Sequence, residues 1–467
     1  MARHSAGWAL GLTSAAGFMV ALDQLVVATA LTDMQRALHA SLATLTWTVN
    51  AYAIVFAVLL LPAAALGDRF GRRRVLIAGV ALFTLASAAC GLAPGAGTLI
   101  AARAVQGAGA ALIMPLAMAL LSQAYPPERR AAALGLFAAL TGLAAVGGPL
   151  IGGVVADHLG WAWIFWLNVP IGLVAVPLLR WRIAESHGPR RRPDPAGSVL
   201  AAAAILALVW GIVRSPAPGW ELGVLAGLAL GGVFVWWELR VAEPMLALTL
   251  FRSRTFAFGN VASLLLYATL VGSVFFVSQF LQVSLGLTPS QAGLRMLPWT
   301  GAVLVVAPLS GRLVDRRGGR LPLVGGLAAQ AAGLLWIAWQ AAHGGAYGTF
   351  VAALAVAGIG VTAAMPAAQH AVFSAAGPAE VGRASGTFGT VRQLGGVLGV
   401  ALMAAAFSSA AGSAAGEPAF RAGLPAALAL AAALSAVGAA CGLFAYRRPA
   451  PRPATATVED VAVPEHV

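Results

Sequence analysis

Fourteen apolar runs, each near twenty residues long and parted by Arg, Pro or Gly-rich breaks, leave this chain few ways to fold. About twenty apolar residues let a helix cross the hydrocarbon of a bilayer, and a helix satisfies every backbone N–H and C=O within one such run. The first six spans cover about 8–32, 45–66, 75–93, 98–122, 132–156 and 163–182. Two more cover about 196–213 and 220–239, and the last six about 256–282, 293–313, 321–341, 348–374, 385–410 and 423–446. Composition agrees: 10% of the residues are charged and 60% hydrophobic, where a soluble domain carries about a quarter charged residues. The expected fold is an all-α, multi-pass membrane protein whose first partner is the lipid bilayer.

The net charge of +13 comes from 29 bases against 16 acids, and every base is an arginine. Twenty-three of them fall on one side of the predicted spans and four (Arg36, Arg214, Arg295 and Arg421) on the other, while Arg103 and Arg392 lie inside spans. Positive charge is retained on the cytoplasmic face, so both termini are predicted cytoplasmic. A nucleic-acid partner would need one clustered basic face instead of alternating loops. The first run is interrupted by Asp23 and lacks a small-residue cleavage site, so it reads as a retained helix and not a leader.

Two basic hairpins divide the chain into halves. The stretch Ala64–Arg74 carries Asp68, Arg69, Gly71 and Arg72, and a second version at Gly311–Arg320 carries Asp315 and Arg316, 247 positions later counted from Asp to Asp. Each joins the second and third helix of a six-helix set, which is the trace left by internal duplication in a helical bundle. The polar, Pro-rich segment 187–195 is the clearest break between them. The expected organisation is a six-helix bundle over 1–186, a linker with two additional helices over 187–250, a second bundle over 251–448 and a disordered cytoplasmic tail over 449–467.

Asp23 lies about 24 Å into the first span at 1.5 Å per residue. A carboxylate there costs about 3 kcal/mol or more unless paired, protonated or facing water. Arg103 in the fourth span sits at a similar depth and is its expected partner, with Gln106 and Gly107 on the same face at i+3 and i+4. Two readings stand: a packing ion pair, or a carboxylate that handles protons with Arg103 and Gln106 tuning it. At the first hairpin Gly71 makes the tight turn, Asp68 is placed to complement a helix N-terminus, and the arginines bridge to acids or lipid phosphates. The hairpins read either as topology anchors or as a latch holding one conformation.

In the fifth span Gly148, Gly152 and Gly153 permit close helix approach and Pro149 removes a hydrogen bond, so this helix is expected to bend or rock. Trp161–Gly172 reads as an aromatic belt at the head of the sixth span. Gln24, Asn50, Asn260, Tyr267 and Arg392 are candidate cavity residues; Ser263, Gln279 and Gln282 share the ninth span with Asn260 and Tyr267, where interhelical hydrogen bonding competes with a lining role. His158, His343 and His370 are isolated, and Cys90 and Cys441 lie in separate spans, so no enzymatic or metal constellation is expected.

Taken together and in order, these segments resemble the major facilitator superfamily over nearly the whole length. The Asp68 hairpin is similar to the superfamily's loop between helices two and three, with Ala64 where Gly usually leads. Leu99–Gly109 resembles its fourth-helix motif, whose arginine is implicated in proton coupling, and Gly148–Gly153 its antiporter motif in the fifth helix. Leu22–Val27, Trp161–Gly172, Pro244–Arg252 and Arg392–Gly399 are similar to the fourteen-helix drug:proton antiporter branch, with Ala162 where Arg is common and Thr32 where Pro often stands. The resemblance implies two six-helix bundles plus two inserted helices, monomeric action, no cofactor beyond a proton gradient, and export of lipophilic drugs or antibiotics. Because Asp23 and Glu238 are the only acids placed in or at the edge of spans, neutral or monocationic substrates are the expected class. A proton-coupled carrier of one metabolite, exporter or importer, is the nearest alternative, followed by a non-transporting membrane sensor.

Overall fold

A computed structural model describes residues 2–188, 194–215, 218–241, 244, 246, 248–343, 347–376, 380–414 and 416–446. The expected disordered tail and the arginines 190–192 of the linker lie outside the described residues. Among the described residues the secondary structure is helical, without strands. Fourteen helices follow in order: α1 Ala2–Leu38, α2 Leu42–Phe70, α3 Arg72–Gly91, α4 Ala96–Ala124 and α5 Pro127–Leu159, then α6 Trp163–Arg182. They continue with α7 Pro195–Arg214, α8 Trp220–Glu238 and α9 Arg254–Val283, α10 Pro289–Arg317, α11 Arg320–Ala342, α12 Tyr347–Ser374, α13 Val381–Ala411 and α14 Glu417–Ala445. Thirteen are long and apolar enough to cross a membrane as they stand, and α2 makes fourteen when its two bent pieces count as one span.

The irregularities have a common cause. Proline lacks the N–H that would close the preceding turn, and its ring crowds the carbonyl four residues back. Accordingly α2 bends by 52° between Thr44–Leu60 and Pro62–Phe70. The first turn of α6 breaks at Leu167, ahead of Pro170, and α10 breaks at Met296 and Gly301, flanking Pro298. Several helices outrun their sequence bounds. The longer α1 and α5 take in Asp33 and Asp157, so the acids within helices are more numerous than the two expected.

Helices α1–α6 pack among themselves, as do α9–α14. Small residues set the closest approaches, since apolar side chains gain nothing over lipid tails and backbone contact must hold helices together. A Cβ added at Gly107 of α4 would lie 2.3 Å from the Tyr52 carbonyl oxygen on α2, and one at Gly399 of α13 would lie 2.0 Å from the Ala268 carbonyl on α9. Helices α7 and α8 pair with each other, and α7 leans on α2 and α13, where the two halves meet. Asp194 caps α7 through the Gly197 N–H and also accepts from Trp237 Nε1, while Glu238 is buried and accepts from the Leu246 N–H.

The two hairpins lie at one end of the bundle. At the opposite, far end the halves are joined by hydrogen bonds. Thr32 on α1 donates to Gln279 Oε1 on α9 at 3.1 Å, Gln279 donates back to the Ala28 carbonyl, and Gln282 donates to the Thr29 carbonyl. The end of α5 meets the start of α10: Asp157 accepts from the Ser290 N–H at 2.9 Å and from its hydroxyl. The glycines of the fifth-helix motif sit in these seams. Gly148 faces Leu25 and Gly152 faces Val26 and Thr29 on α1, while Gly153 faces Pro289 and Ser290 on α10.

Candidate functional site

Four helices of the first half converge on Asp23. Its side chain is fully buried and that of Arg103 is 1% exposed, with Arg103 NH1 2.5 Å from Asp23 Oδ2. The same guanidinium nitrogen donates to Gln106 Oε1 at 2.6 Å, and Arg103 Nε donates to the Thr48 carbonyl at 3.1 Å. Gln106 Nε2 in turn donates to Asp23 Oδ1 at 2.8 Å and to Ser87 Oγ at 2.6 Å. Asn168 Nδ2, from α6, completes the cluster with bonds to Asp23 Oδ1 at 3.0 Å and Ser87 Oγ at 3.3 Å. The Arg103 guanidinium lies over the Tyr52 ring at 4.2 Å, and the Cys90 thiol donates to Gln106.

The arrangement follows from local helix geometry. Arg103 and Gln106 are three apart on α4 and therefore share a face. Gly107, next on that face, lets the Tyr52 backbone approach and so brings α2 against the guanidinium. Desolvating a lone carboxylate or guanidinium costs several kcal/mol even after relaxation, and the pairing with its added hydrogen bonds offsets it. Both Asp23 oxygens are occupied, so a proton arriving there must displace a donor. A neutral carboxyl holds a guanidinium less strongly, and the cluster is thus able to change its contacts when one proton binds.

The other candidate residues are distributed differently. Asp68, at the end of α2, pairs across the Gly71 turn with Arg72, the first residue of α3, at 2.7 Å, and its backbone carbonyl accepts from the Gly188 N–H. The α3 N-terminus is instead capped from a distance: Glu185 accepts from the Arg73 N–H at 2.8 Å and the Arg74 N–H at 3.3 Å, with both side chains within 3.7 Å. Gly71 has φ +105° and packs directly on the Glu185 carboxylate, so a side chain there would be strained and would displace the cap. Arg69 is exposed, as are Asp315 and Arg316, and Asp315 and Arg316 form no ion pair among the described residues. Replacing Glu185 with Ala is expected to lose the cap and cost about 1–2 kcal/mol, read as a lowered unfolding temperature in detergent with an unchanged gel-filtration profile.

Among the cavity candidates, Gln24 Nε2 donates to Gln393 Oε1 at 3.0 Å, linking α1 to α13 across the halves. Tyr267 packs edge-on to Phe388 and under the Arg392 guanidinium. Asn260 is buried and spends its amide on the Phe256 carbonyl, and Asn50 is buried with neither side-chain atom hydrogen-bonded. His158, His343 and His370 are exposed, and no metal-holding group of His, Cys, Asp or Glu occurs among the described residues. Sequence reasoning missed Asn168, Ser87, Tyr52, Gln393, Glu185 and Asp157 as working residues. Asn168 was detectable as a lone amide in an apolar span; Ser87 carried no signal, since serine is ordinary in such helices.

Comparison with known proteins converges on one family. The Major Facilitator Superfamily profile matches residues 13–283 and 259–463. The chain is 37% identical over 406 residues to the tetracenomycin C resistance and export protein of Streptomyces glaucescens, covering 85% of this chain and 75% of that one. It is 36% identical to the multidrug resistance protein Stp of Mycobacterium tuberculosis, covering 83% and 73%, and 36% identical to the methylenomycin A resistance protein of Streptomyces coelicolor, covering 83% of each. In fold it is similar to a POT family transporter crystallised with a thioalcohol-conjugated peptide, with TM-score 0.71, 16% identity and coverage of 93% and 95%. A bacterial homolog of the lysosomal transporter Spinster, inward-facing and unoccupied, gives TM-score 0.68 at 17% identity, covering 94% and 97%.

Proposed function

Because this chain belongs to the major facilitator superfamily, we propose that it is a proton-driven antiporter exporting lipophilic drugs or antibiotics by alternating access. The observation that carries the reading is the buried, hydrogen-bonded Asp23–Arg103–Gln106–Asn168 cluster. The resistance and export roles in the relatives' names support the direction of transport.

In this mechanism a proton reaches Asp23 from the far end and releases Arg103. Gln106 and Asn168 hold the carboxyl in place while Arg103 falls back on Tyr52 and the Thr48 carbonyl. That exchange biases the two halves, 1–186 and 251–448, toward opening at the far end. Moving a two-state ratio from 1:99 to 99:1 takes about 5.5 kcal/mol of differential interaction, so the far-end hydrogen bonds of Thr32, Gln279, Gln282 and Asp157 release with it. The Gly148–Gly153 segment is the sliding surface, and the Asp68 and Asp315 hairpins stabilise the opposite closure. Both termini face the cytoplasm, the protein works as a monomer, and the proton gradient replaces any cofactor.

The test uses proteoliposomes enclosing a pH-sensitive dye under an imposed proton gradient. Tetracenomycin C, named for a relative, and ethidium are added separately, with protein-free vesicles subtracted. Proton movement that begins on adding compound supports antiport. Compound movement without protons overturns the coupling and favours an uncoupled carrier. If neither compound moves, drug export gives way to a carrier of a single metabolite or to a non-transporting sensor.

A further inference from the structure

The two arginines within spans differ in one decisive respect. Arg103 is buried against a carboxylate. Arg392 is half-buried on α13, and among the described residues no carboxylate comes within ion-pair distance of it. The guanidinium lies over the face of Tyr267, 5.5 Å away on α9. An arginine at membrane depth costs about 2.5–3.5 kcal/mol even on the most lenient scale, and a guanidinium remains cationic throughout the physiological range. Such a charge implies an anion that meets it.

Its surroundings show which side it serves. The adjacent residue, Gln393, is 3% exposed and reaches Gln24 of α1 through its carbonyl oxygen, while its amide Nε2 has no hydrogen-bond partner. Arg392 and Gln393 therefore stand between α1 and α9, beneath the far-end contacts that join those helices. The Tyr267 ring beside the guanidinium packs on Phe388, and Phe388 packs on Phe373, extending an aromatic wall from it. The electrostatic balance here differs from a simple count of acids. Asp23 is neutralised by Arg103, so the mid-depth interior carries the uncompensated charge of Arg392, which repels cations and attracts anions.

We propose that Arg392, with the free amide of Gln393 beside it and the Tyr267–Phe388 wall behind, binds the carboxylate of an otherwise apolar substrate. The planar guanidinium offers two parallel N–H donors to the two carboxylate oxygens, Gln393 Nε2 supplies a third, and the rings take the apolar body. The inference rests on the export reading and replaces its expected neutral or monocationic substrates with lipophilic carboxylates. A transported carboxylate leaving as a proton enters would move net positive charge inward, so an inside-negative membrane potential would drive export in addition to the proton gradient.

The test is equilibrium binding to the purified full-length chain in detergent, with protein-free micelles subtracted, using three probes of one fluorophore. These are 1-pyrenebutyrate, 1-pyrenebutanol and (4-pyren-1-ylbutyl)trimethylammonium. The natural protein is expected to prefer the carboxylate to the alcohol about tenfold, the worth of one charge-assisted contact, and to bind the cation most weakly. Arg392→Gln should reduce that preference to below about twofold, and Arg392→Lys should keep part of it, because a point charge attracts without forking. If the natural protein binds the alcohol or the cation as well as the carboxylate, or if Arg392→Gln weakens all three probes equally, the proposal is overturned. Should Arg392→Gln fail to give a monodisperse protein, the natural head-group preference and its partial retention in Arg392→Lys decide. No proton gradient is present in this assay, so loss of head-group selectivity sinks the carboxylate site alone, and loss of proton-linked flux in vesicles sinks the export reading alone.

Discussion

Asp23→Asn is expected to reduce substrate-linked proton movement to the level of protein-free vesicles and, at the same time, to destabilise the chain. The two effects have separate causes. Coupling is lost because an amide cannot take up and release the proton. Stability is lost because the buried Arg103 guanidinium no longer faces a carboxylate, a loss of about 3–5 kcal/mol when one member of a buried pair is removed. The Asn amide would also point a donor at a donor. The double variant Asp23→Asn/Arg103→Gln removes both charges, and neutral replacement of a whole buried pair is often tolerated. It is therefore expected to recover most of the unfolding temperature and none of the coupling. This separates the two readings of the pair. If Asp23 and Arg103 only pack helices together, the double variant regains proton-linked transport along with its stability, and the coupling role is lost.

The second large effect is expected from Gly153→Leu. A Cβ at Gly153 would lie 2.2 Å from the Pro289 carbonyl oxygen and 2.8 Å from the Ser290 Cα, and one at Gly293 would lie 2.3 Å from the Pro149 carbonyl. These neighbours are backbone atoms, which cannot swing aside as a side chain does, so α5 and α10 must separate. The strain falls on the arrangement closed at the far end, where Asp157 holds Ser290. Overpacking of about 1–3 kcal/mol confined to one state shifts the ratio of states by about 5- to 150-fold. Spin labels at the exposed positions Leu159 and Leu294 should then report a longer distance across the seam, and export should slow because the chain no longer closes. An unchanged distance with undiminished export would show that the glycines are not the closing surface. Gly153→Ala, which adds one methyl at the same place, should give a smaller shift in the same direction.

How much of this was legible in the chain depends on the range of the interaction. Hydropathy is a sum over twenty neighbouring residues, so the spans, their number and the inserted pair around 196–239 were readable directly. The prolines at 62, 170 and 298 carry a break signal of the same local kind, yet the spans were read straight through them and the bend was expected at Pro149, whose helix α5 runs unbroken over Pro127–Leu159. The pairing of Arg103 with Gln106 follows from the period of one helix, and that of Asp23 with Arg103 from matching depths of two charges that the bilayer penalises. Asn168 and Ser87 joined them without comparable warning, because a neutral polar group costs too little in a span to demand one particular partner.

Other assignments turned on contacts between distant segments. Asp68 looked like the cap of a neighbouring helix, yet the carboxylate that caps α3 is Glu185, 112 positions from the Arg73 amide it holds. Arg392 was visible as a charge in a span, but whether it was neutralised could not be known until α9 and α13 were side by side. Counting acids in the sequence pointed to neutral or monocationic substrates; the carboxylate proposal starts from the placement of the bases beside those acids. The sequence by itself thus determined a fourteen-span helical membrane protein, because those properties follow from the chain's local averages against a fixed bilayer thickness. Only the tertiary structure decided which charges are cancelled and which glycines form the seam between the halves, because Coulombic pairing and backbone contact depend on distances of a few ångströms between residues hundreds of positions apart.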